Sequence, residues 1–366
     1  MTVNGGFPAP GPPEREPARD RSYAGPAPTG PPGPPTGLPM RPWTPTQPQI
    51  PMLTAHKPGI VPLRPLQFGD ILDGAVKAVR FNPKSMVGMS ALVLAAFLVP
   101  SAALGIGATH LTARVLSRYG PEAEAFLGIP STLIQSMSTG LATALLSGLL
   151  IHVVGQAVLG HKPDLGQTWR STRGRLPSLL ALMILSGLFS LLSTALLIGP
   201  GVLLMVNDNI GAGVILLLLG LLGLIAVALA VTTKISMAAP AIVLEGHGVL
   251  AGLRRSFALT KGAAAFWRIL GITMAAGILA AIAGSMLGLP FSVIGVAIAA
   301  MAGQDTEGGL MVVTFVSHLS ALLSGAITTP FVAAVTGLLY IDRRMRLEAL
   351  DVVLIREAQA NPAPRI

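Results

Sequence analysis

The chain has 366 residues, 52% of them hydrophobic and 11% charged, where a soluble globular domain carries about 25% charged residues. Its net charge of +9 lies in short stretches beside apolar runs rather than on one folded face, which is membrane patterning and excludes a nucleic-acid binder. With no cysteine, disulfides, thiolate metal sites and cysteine nucleophiles are excluded as well.

Residues 1–65 hold 19 of the 31 prolines, in stretches such as Pro31-Pro32-Gly33-Pro34-Pro35. Such a segment buries too little apolar surface to offset its ordering entropy, so the sequence predicts a disordered, cytoplasmic tail with polyproline II character. It reads as a solvated tether, the alternative being a ligand for a proline-recognising cytoplasmic protein. The first apolar stretch begins only at Met86, so no cleavable signal peptide is expected and the first span itself directs insertion. Arginine outnumbers lysine 19 to 6 and Ala, Gly and Pro abound, a bacterial, GC-rich composition that places the chain in a cytoplasmic membrane.

Residues 66–357 read as a polytopic membrane domain, followed by a short tail, 358–366. Phe68, Ile71, Leu72, Ala75, Val76 and Val79 recur at helical spacing and form one apolar stripe. Asn82-Pro83 ends that helix. A short amphipathic helix leading into a span belongs in the interfacial plane, apolar face down. Six apolar runs follow, at about 86–108, 135–157, 178–200, 213–233, 270–290 and 314–340. Each has roughly the 20 residues needed to cross a ~30 Å hydrocarbon layer. Short polar or amphipathic stretches at 164–175 and 249–261 precede the third and fifth spans, as the one at 67–80 precedes the first. The chain therefore reads as three units of one interfacial helix and two spans. Because each unit crosses twice, they share one orientation, and a symmetry axis would run along the membrane normal.

Charge sets direction. With both termini cytoplasmic, the inner segments hold nine Lys/Arg before Met86, four in 160–176, four in 245–268 and five after Tyr340, with Lys234 at the inner end of span four. Only Arg114 and Arg118 lie outside. The positive-inside bias opposes the inverted topology. Pro290 is expected to end span five, because proline removes a helix hydrogen bond and clashes with the preceding turn; Phe291–Met301 is then a broken or interfacial segment on the outer face. Ala276, Ala280, Gly284 and Gly288 give that span a small-residue stripe for close helix packing within the chain.

Ionisable groups inside spans are candidates for function. His152 and Gln156 share a face of span two and suit interhelical hydrogen bonding. His318 lies in the outer part of span six, and the Lys234 ammonium suits snorkelling to the inner headgroups. No intramembrane carboxylate accompanies them, so neither a proton relay nor a metal site is expected, and no cofactor. Arg254, Arg255, Lys261 and Arg268 are expected to face anionic headgroups of the inner leaflet, with Trp267 as an aromatic anchor. The GxSxG, GxxxxGK[ST] and HExxH signatures are absent, and the chain is not expected to be an enzyme.

Three segments, VPLRPLQFGDILDGAVKAVRFNPK at Val61–Lys84, AAPAIVLEGHGVLAGLRRSFALTKGAAAFWRIL at Ala238–Leu270 and YIDRRMRLEALDVVLIR at Tyr340–Arg356, carry a family resemblance. The chain resembles the glycerophosphoryl diester phosphodiesterase membrane-domain family, uncharacterised multi-pass proteins of high-GC Gram-positive bacteria. The resemblance covers roughly residues 60–357, with Glu245, Arg254-Arg255-Ser256 and Trp267 at the family's spacing. It implies a multi-pass helical domain. In the phosphodiesterases of that name a soluble barrel with a His-Arg motif and metal-binding carboxylates follows the domain. Only 26 residues follow Tyr340 here and no His-Arg pair exists, so the hydrolase activity does not carry over. The functional expectation is a non-catalytic scaffold or membrane-assembly component, the alternative a transporter or lipid-translocating protein with His152, Gln156, Lys234 and His318 lining a cavity between the units.

Overall fold

The computed structural model describes residues 59–116, 128–303 and 306–360. The expected disorder of the tail falls on residues 1–58, outside the described residues. The part of that tail that is described, 59–65, is held down: Ile60, Val61 and Leu63 are buried, and the Ile60 amide donates to the Ala157 carbonyl at 3.3 Å. Three apolar side chains in seven residues suffice to dock a short irregular strand of chain against the bundle.

The described residues are helical and contain no strand. Six helical segments are long and apolar enough to cross a membrane: Lys84–Val115, Ile129–Val158, Leu165–Val206, Ile210–Glu245, Ala263–Ala302 and Glu307–Glu348. The protein is therefore an all-α integral membrane protein. Short helix α1 (Phe68–Phe81) leads through a π turn at Lys84–Gly88 into α2 (Met89–Leu116), which pairs with α3 (Ile129–Val158). Helix α4 (Leu165–Thr172) leads through a 3-10 turn into α5 (Leu176–Val206), paired with α6 (Ile210–Ile235). Then α7 (Ala238–Glu245) and α8 (Val249–Leu259) lead into α9 (Ala263–Ala302), paired with α10 (Glu307–Glu348), and α11 (Leu350–Ala360) closes the chain. The second helix of each hairpin lies beside the first of the next: α3 against α5, α6 against α9, and α10 against α2. The contact of α10 with α2 is extensive, whereas α6 barely touches α9.

The apolar stripe of α1 is divided between two environments. Ile71, Gly74, Ala75 and Ala78 are buried on the side facing α10, where a Cβ on Gly74 would meet Leu338 at 2.9 Å. Phe68 is 49% exposed and Val76 also stays outside. The helix thus buries one part of its apolar stripe in the bundle and leaves the other exposed. It ends as expected at Asn82, whose side chain, together with Ser85 Oγ, donates to the Pro163 carbonyl at 2.9 and 2.7 Å. That fastens the start of the first hairpin to the loop before α4, where Asp164 caps the helix by accepting from the Gln167 amide.

Pro290 does not break the helix. Helix α9 continues through it for 40 residues, about 60 Å at 1.5 Å per residue. Two features hold the continuation. The Gly288 carbonyl, two residues before the proline, accepts from Ser292 on its own helix at 3.1 Å and from Ser320 of α10 at 3.2 Å, the latter tying α9 to its neighbour at that point. Beyond the proline, Gly295 and Ala299 are buried, and a Cβ on Gly295 would lie 2.6 Å from Val316 of α10. Packing along α10 outweighs the single lost hydrogen bond. The small-residue stripe also faces α10: added Cβ atoms at Gly284 and Gly288 would meet Thr328 at 3.3 Å and Ser320 at 2.6 Å.

Candidate functional site

One end of the bundle carries α1, α4, α7, α8 and the terminus of α10, and is strongly basic. The segment Tyr340–Arg346 of α10, buried almost throughout, organises it. Asp342 has 0% side-chain exposure and accepts from the Leu66 amide at 2.8 Å, from Arg268 of α9 at 2.6 Å and from Arg346 at 2.9 Å. The same two arginines donate to the Leu66 carbonyl at 2.7 and 2.6 Å. A second cluster centres on Glu245, which accepts from Arg255 at 3.0 Å, pairs with Arg344 at 3.2 Å and takes the Tyr340 hydroxyl. Arg255 and Arg344 both reach Glu348. Burial pushes the Arg255 pKa down, but hydrogen bonds and charge from Glu245 and Glu348 outweigh it and leave the guanidinium raised. Gly246, at φ 74°, closes α7 in the left-handed region that favours glycine, and this turn sends α8 back so that Arg255 meets Glu245. Ser256 completes the junction, donating to the Lys234 carbonyl at 2.5 Å and accepting from the Met237 amide at 3.1 Å.

The four arginine and lysine residues expected at the inner leaflet therefore divide. Arg255 and Arg268 are consumed by ion pairs inside the protein. Arg254 and Lys261 are exposed, as are Leu250, Phe257 and Trp267, the last at 67%. A surface mixing apolar side chains with cations at one end of a membrane bundle is suited to the headgroup region.

The four polar residues expected to line a cavity are separated. His152 Nε2 meets the Ser171 hydroxyl at 3.0 Å beside α4. Gln156, one turn on, accepts through its backbone carbonyl from the His161 amide at 3.0 Å, in the turn that ends α3. The Lys234 ammonium donates to the Thr260 carbonyl at 3.1 Å and sits 5.7 Å from the Phe266 ring centre. His318 is buried between α10 and α2.

The principal cavity lies elsewhere. It is a cleft of about 980 Å³ between α3, α5 and α6, closed at the back by α9 and α10. A side chamber of about 450 Å³ runs between α9 and α10 and shares Thr143, Ser147, Ala239, Val332 and Thr336 with it. Eleven of the 25 residues lining the cleft carry a hydroxyl, Gln135 adds an amide, and none is charged. On α3 the hydroxyls stand at 136, 139, 143 and 147, and on α5 at 186, 190 and 193, so each helix turns a polar stripe inward. Six of these hydroxyls, Ser147, Ser186, Thr232, Ser236, Thr273 and Thr336, donate to backbone carbonyls three or four residues earlier. Their lone pairs remain available. The wall is therefore rich in acceptors, and Ser136, Thr139, Thr143, Ser190 and Ser193, which make no such bond among the described residues, can donate as well. A bare charge would lie there without a counter-ion, which is strongly disfavoured. The cleft suits a neutral molecule with hydroxyl groups.

The hydroxyl stripes escaped the sequence reading because it weighted ionisable groups alone. Ser and Thr recurring every three to four positions in a span was the available signal. The geometry defines a polytopic membrane protein with a hydroxyl-lined inter-hairpin cleft. Comparison with protein-family models, curated proteins and solved structures returns no match.

Proposed function

We propose that the protein binds a neutral, hydroxyl-bearing amphiphile in the cleft between its hairpins and carries it across the bilayer, with the basic end in the cytoplasm. The observation behind this reading is the form of the cleft. It runs from Gln135, near one end of α3, to Ser236, at the opposite end of the bundle. It lies alongside the α5–α6 hairpin, whose apolar window is only 6% buried and whose contact with α9 is slight. A headgroup could follow the hydroxyl stripes while its chains stay in lipid between α6 and α9. The volume is at the upper end of the roughly 300–1,000 Å³ of small-molecule sites.

Membership of the membrane-domain family is part of the proposal, since the segments carrying that resemblance supply Leu66, Glu245, Arg255, Arg268 and Asp342, which brace the basic end. The scaffold reading keeps one favouring observation, the exposed apolar and cationic surface around Arg254, Lys261 and Trp267. The test is translocation of a fluorescent neutral glycolipid by the purified chain in phosphatidylcholine vesicles, followed by chemical quenching from outside. The native protein should accelerate quenching of the inner-leaflet probe, and Thr143→Trp with Ser186→Trp, which fill the cleft, should abolish the acceleration. Native rates no faster than empty vesicles, or an unaffected and properly folded double variant, would refute it.

A further inference from the structure

A second recess, of about 250 Å³, lies between α2 and α10, and no residue is common to it and the cleft. Its walls are apolar, with Leu98, Ala102 and Ile106 on α2 and Phe315, Leu319 and Leu322 on α10. The single polar side chain in it is His318, 3% exposed. Its Nδ1 lies 2.8 Å from the Thr314 carbonyl oxygen. A carbonyl accepts and cannot donate, so Nδ1 holds the ring proton and Nε2 presents a lone pair. Among the described residues Nε2 has no hydrogen-bond partner. A buried acceptor in that condition calls for a donor.

What can supply the donor is narrowly defined. Water needs two to four polar partners to be held in a cavity, and the recess offers one. A phosphate or carboxylate would bring negative charge to a lone pair, with no cation among the lining residues. An ester or ketone has nothing to donate. An alcohol on an apolar body satisfies both the nitrogen and the walls. Depth points the same way. His318 stands 22 positions from Tyr340 along α10, about 33 Å at 1.5 Å per residue, at the far edge of a ~30 Å hydrocarbon layer. That is the level of lipid hydroxyls, while Leu98 and Leu322 lie deeper, at the level of chains. Val99 and Phe315, at the mouth, are exposed on the surface that meets lipid.

We propose that this recess binds a bilayer lipid bearing a free hydroxyl, of the diacylglycerol type, whose O–H donates to His318 Nε2 while an acyl chain lies along Leu98, Leu319 and Leu322. The site is independent of the cleft and of what the cleft carries.

The experiment uses the full chain in phosphatidylcholine nanodiscs with a trace of dioleoylglycerol bearing a photoreactive group on one chain, compared with the O-methyl ether of the same molecule. The alcohol should label residues 98–106 and 315–322, and the ether about fivefold less, the ratio for loss of one net hydrogen bond. His318→Phe should lower alcohol labelling to the level of the ether. Ala103→Trp, placed at an exposed position of the rim, should remove both and leave the packing intact. Equal labelling by alcohol and ether in the native protein would overturn the proposal, as would a preference for the alcohol that survives His318→Phe. Should His318→Phe fail to fold, the alcohol-to-ether ratio and Ala103→Trp decide the matter alone.

Discussion

Asp342 gives the sharpest test of how the basic end is held. Removing its carboxylate as Asp342→Ala orphans the Leu66 amide, which it accepts at 2.8 Å, at roughly 1–3 kcal/mol for a buried donor. It also strands Arg268 and Arg346 without their counter-charge. Loss of one member of a fully buried pair costs about 3–5 kcal/mol, but these guanidiniums are 27% and 35% exposed, and water recovers much of that. A total of about 4 kcal/mol follows, a large share of the ~5–15 kcal/mol that holds most proteins folded. Asp342→Asn keeps an oxygen for the Leu66 amide and loses only the charge, so about 2 kcal/mol is expected. Arg268→Ala leaves Asp342 with Arg346 and Leu66, and should cost less than Asp342→Ala. Unfolding of the purified protein in mixed micelles by increasing denaturant, read by tryptophan fluorescence, ranks the three. The reasoning fails if Asn is as damaging as Ala, or if Ala lies within about 1 kcal/mol of the native chain.

Gly295→Leu tests the continuity of α9: it should destabilise by about 1–3 kcal/mol through overpacking against Val316, whereas an independent interfacial segment would tolerate it in the same denaturant titration. A Cβ at Gly220 would overlap the Leu197 carbonyl, so Gly220→Leu should separate α5 from α6 and abolish a disulfide cross-link engineered between these helices near that point, in a chain otherwise free of cysteine. Asn209→Cys, between α5 and α6, should react with an impermeant maleimide added to intact cells, and Gly248→Cys should react only after lysis; the reverse pattern would invert the topology. Arg254→Ala with Lys261→Ala should lower co-purification of anionic lipid, at about 1 kcal/mol per cation, without moving the unfolding midpoint, while Arg255→Ala should lower the midpoint instead.

The spans were legible because hydrocarbon solvent imposes one rule, about 20 apolar residues per crossing, and the six runs obey it with almost no charge inside. Pro290 shows where such local reasoning ends. Proline's cost is local and visible in the sequence, while what offsets it, the packing of Gly295 on Val316 and the Ser320 hydrogen bond to Gly288, depends on a helix some twenty to thirty positions further on. The basic end has the same character. Arg255 and Arg268 look like Arg254 and Lys261 in a charge count, and only the fold shows that the first two face Glu245 and Asp342. Counting cations yields a direction across the membrane but not a partner for each one.

The cleft was missed for a different reason. Ser and Thr in membrane helices read as neutral filler because each satisfies its own donor on the preceding turn. That self-satisfaction is also what allows a large polar cleft to stand in a bundle without a charge or a penalty. The ionisable residues are costly in lipid and so are pinned by local partners, as His152 is by Ser171 and Lys234 by the Thr260 carbonyl. A neutral ligand that must enter and leave is better served by groups needing nothing from it. By that logic the hydroxyls at 147, 186 and 336 are stronger candidates for contact with a moving substrate than any charged side chain in the spans. His318, buried in a span with an open lone pair on Nε2, fits a lipid that stays.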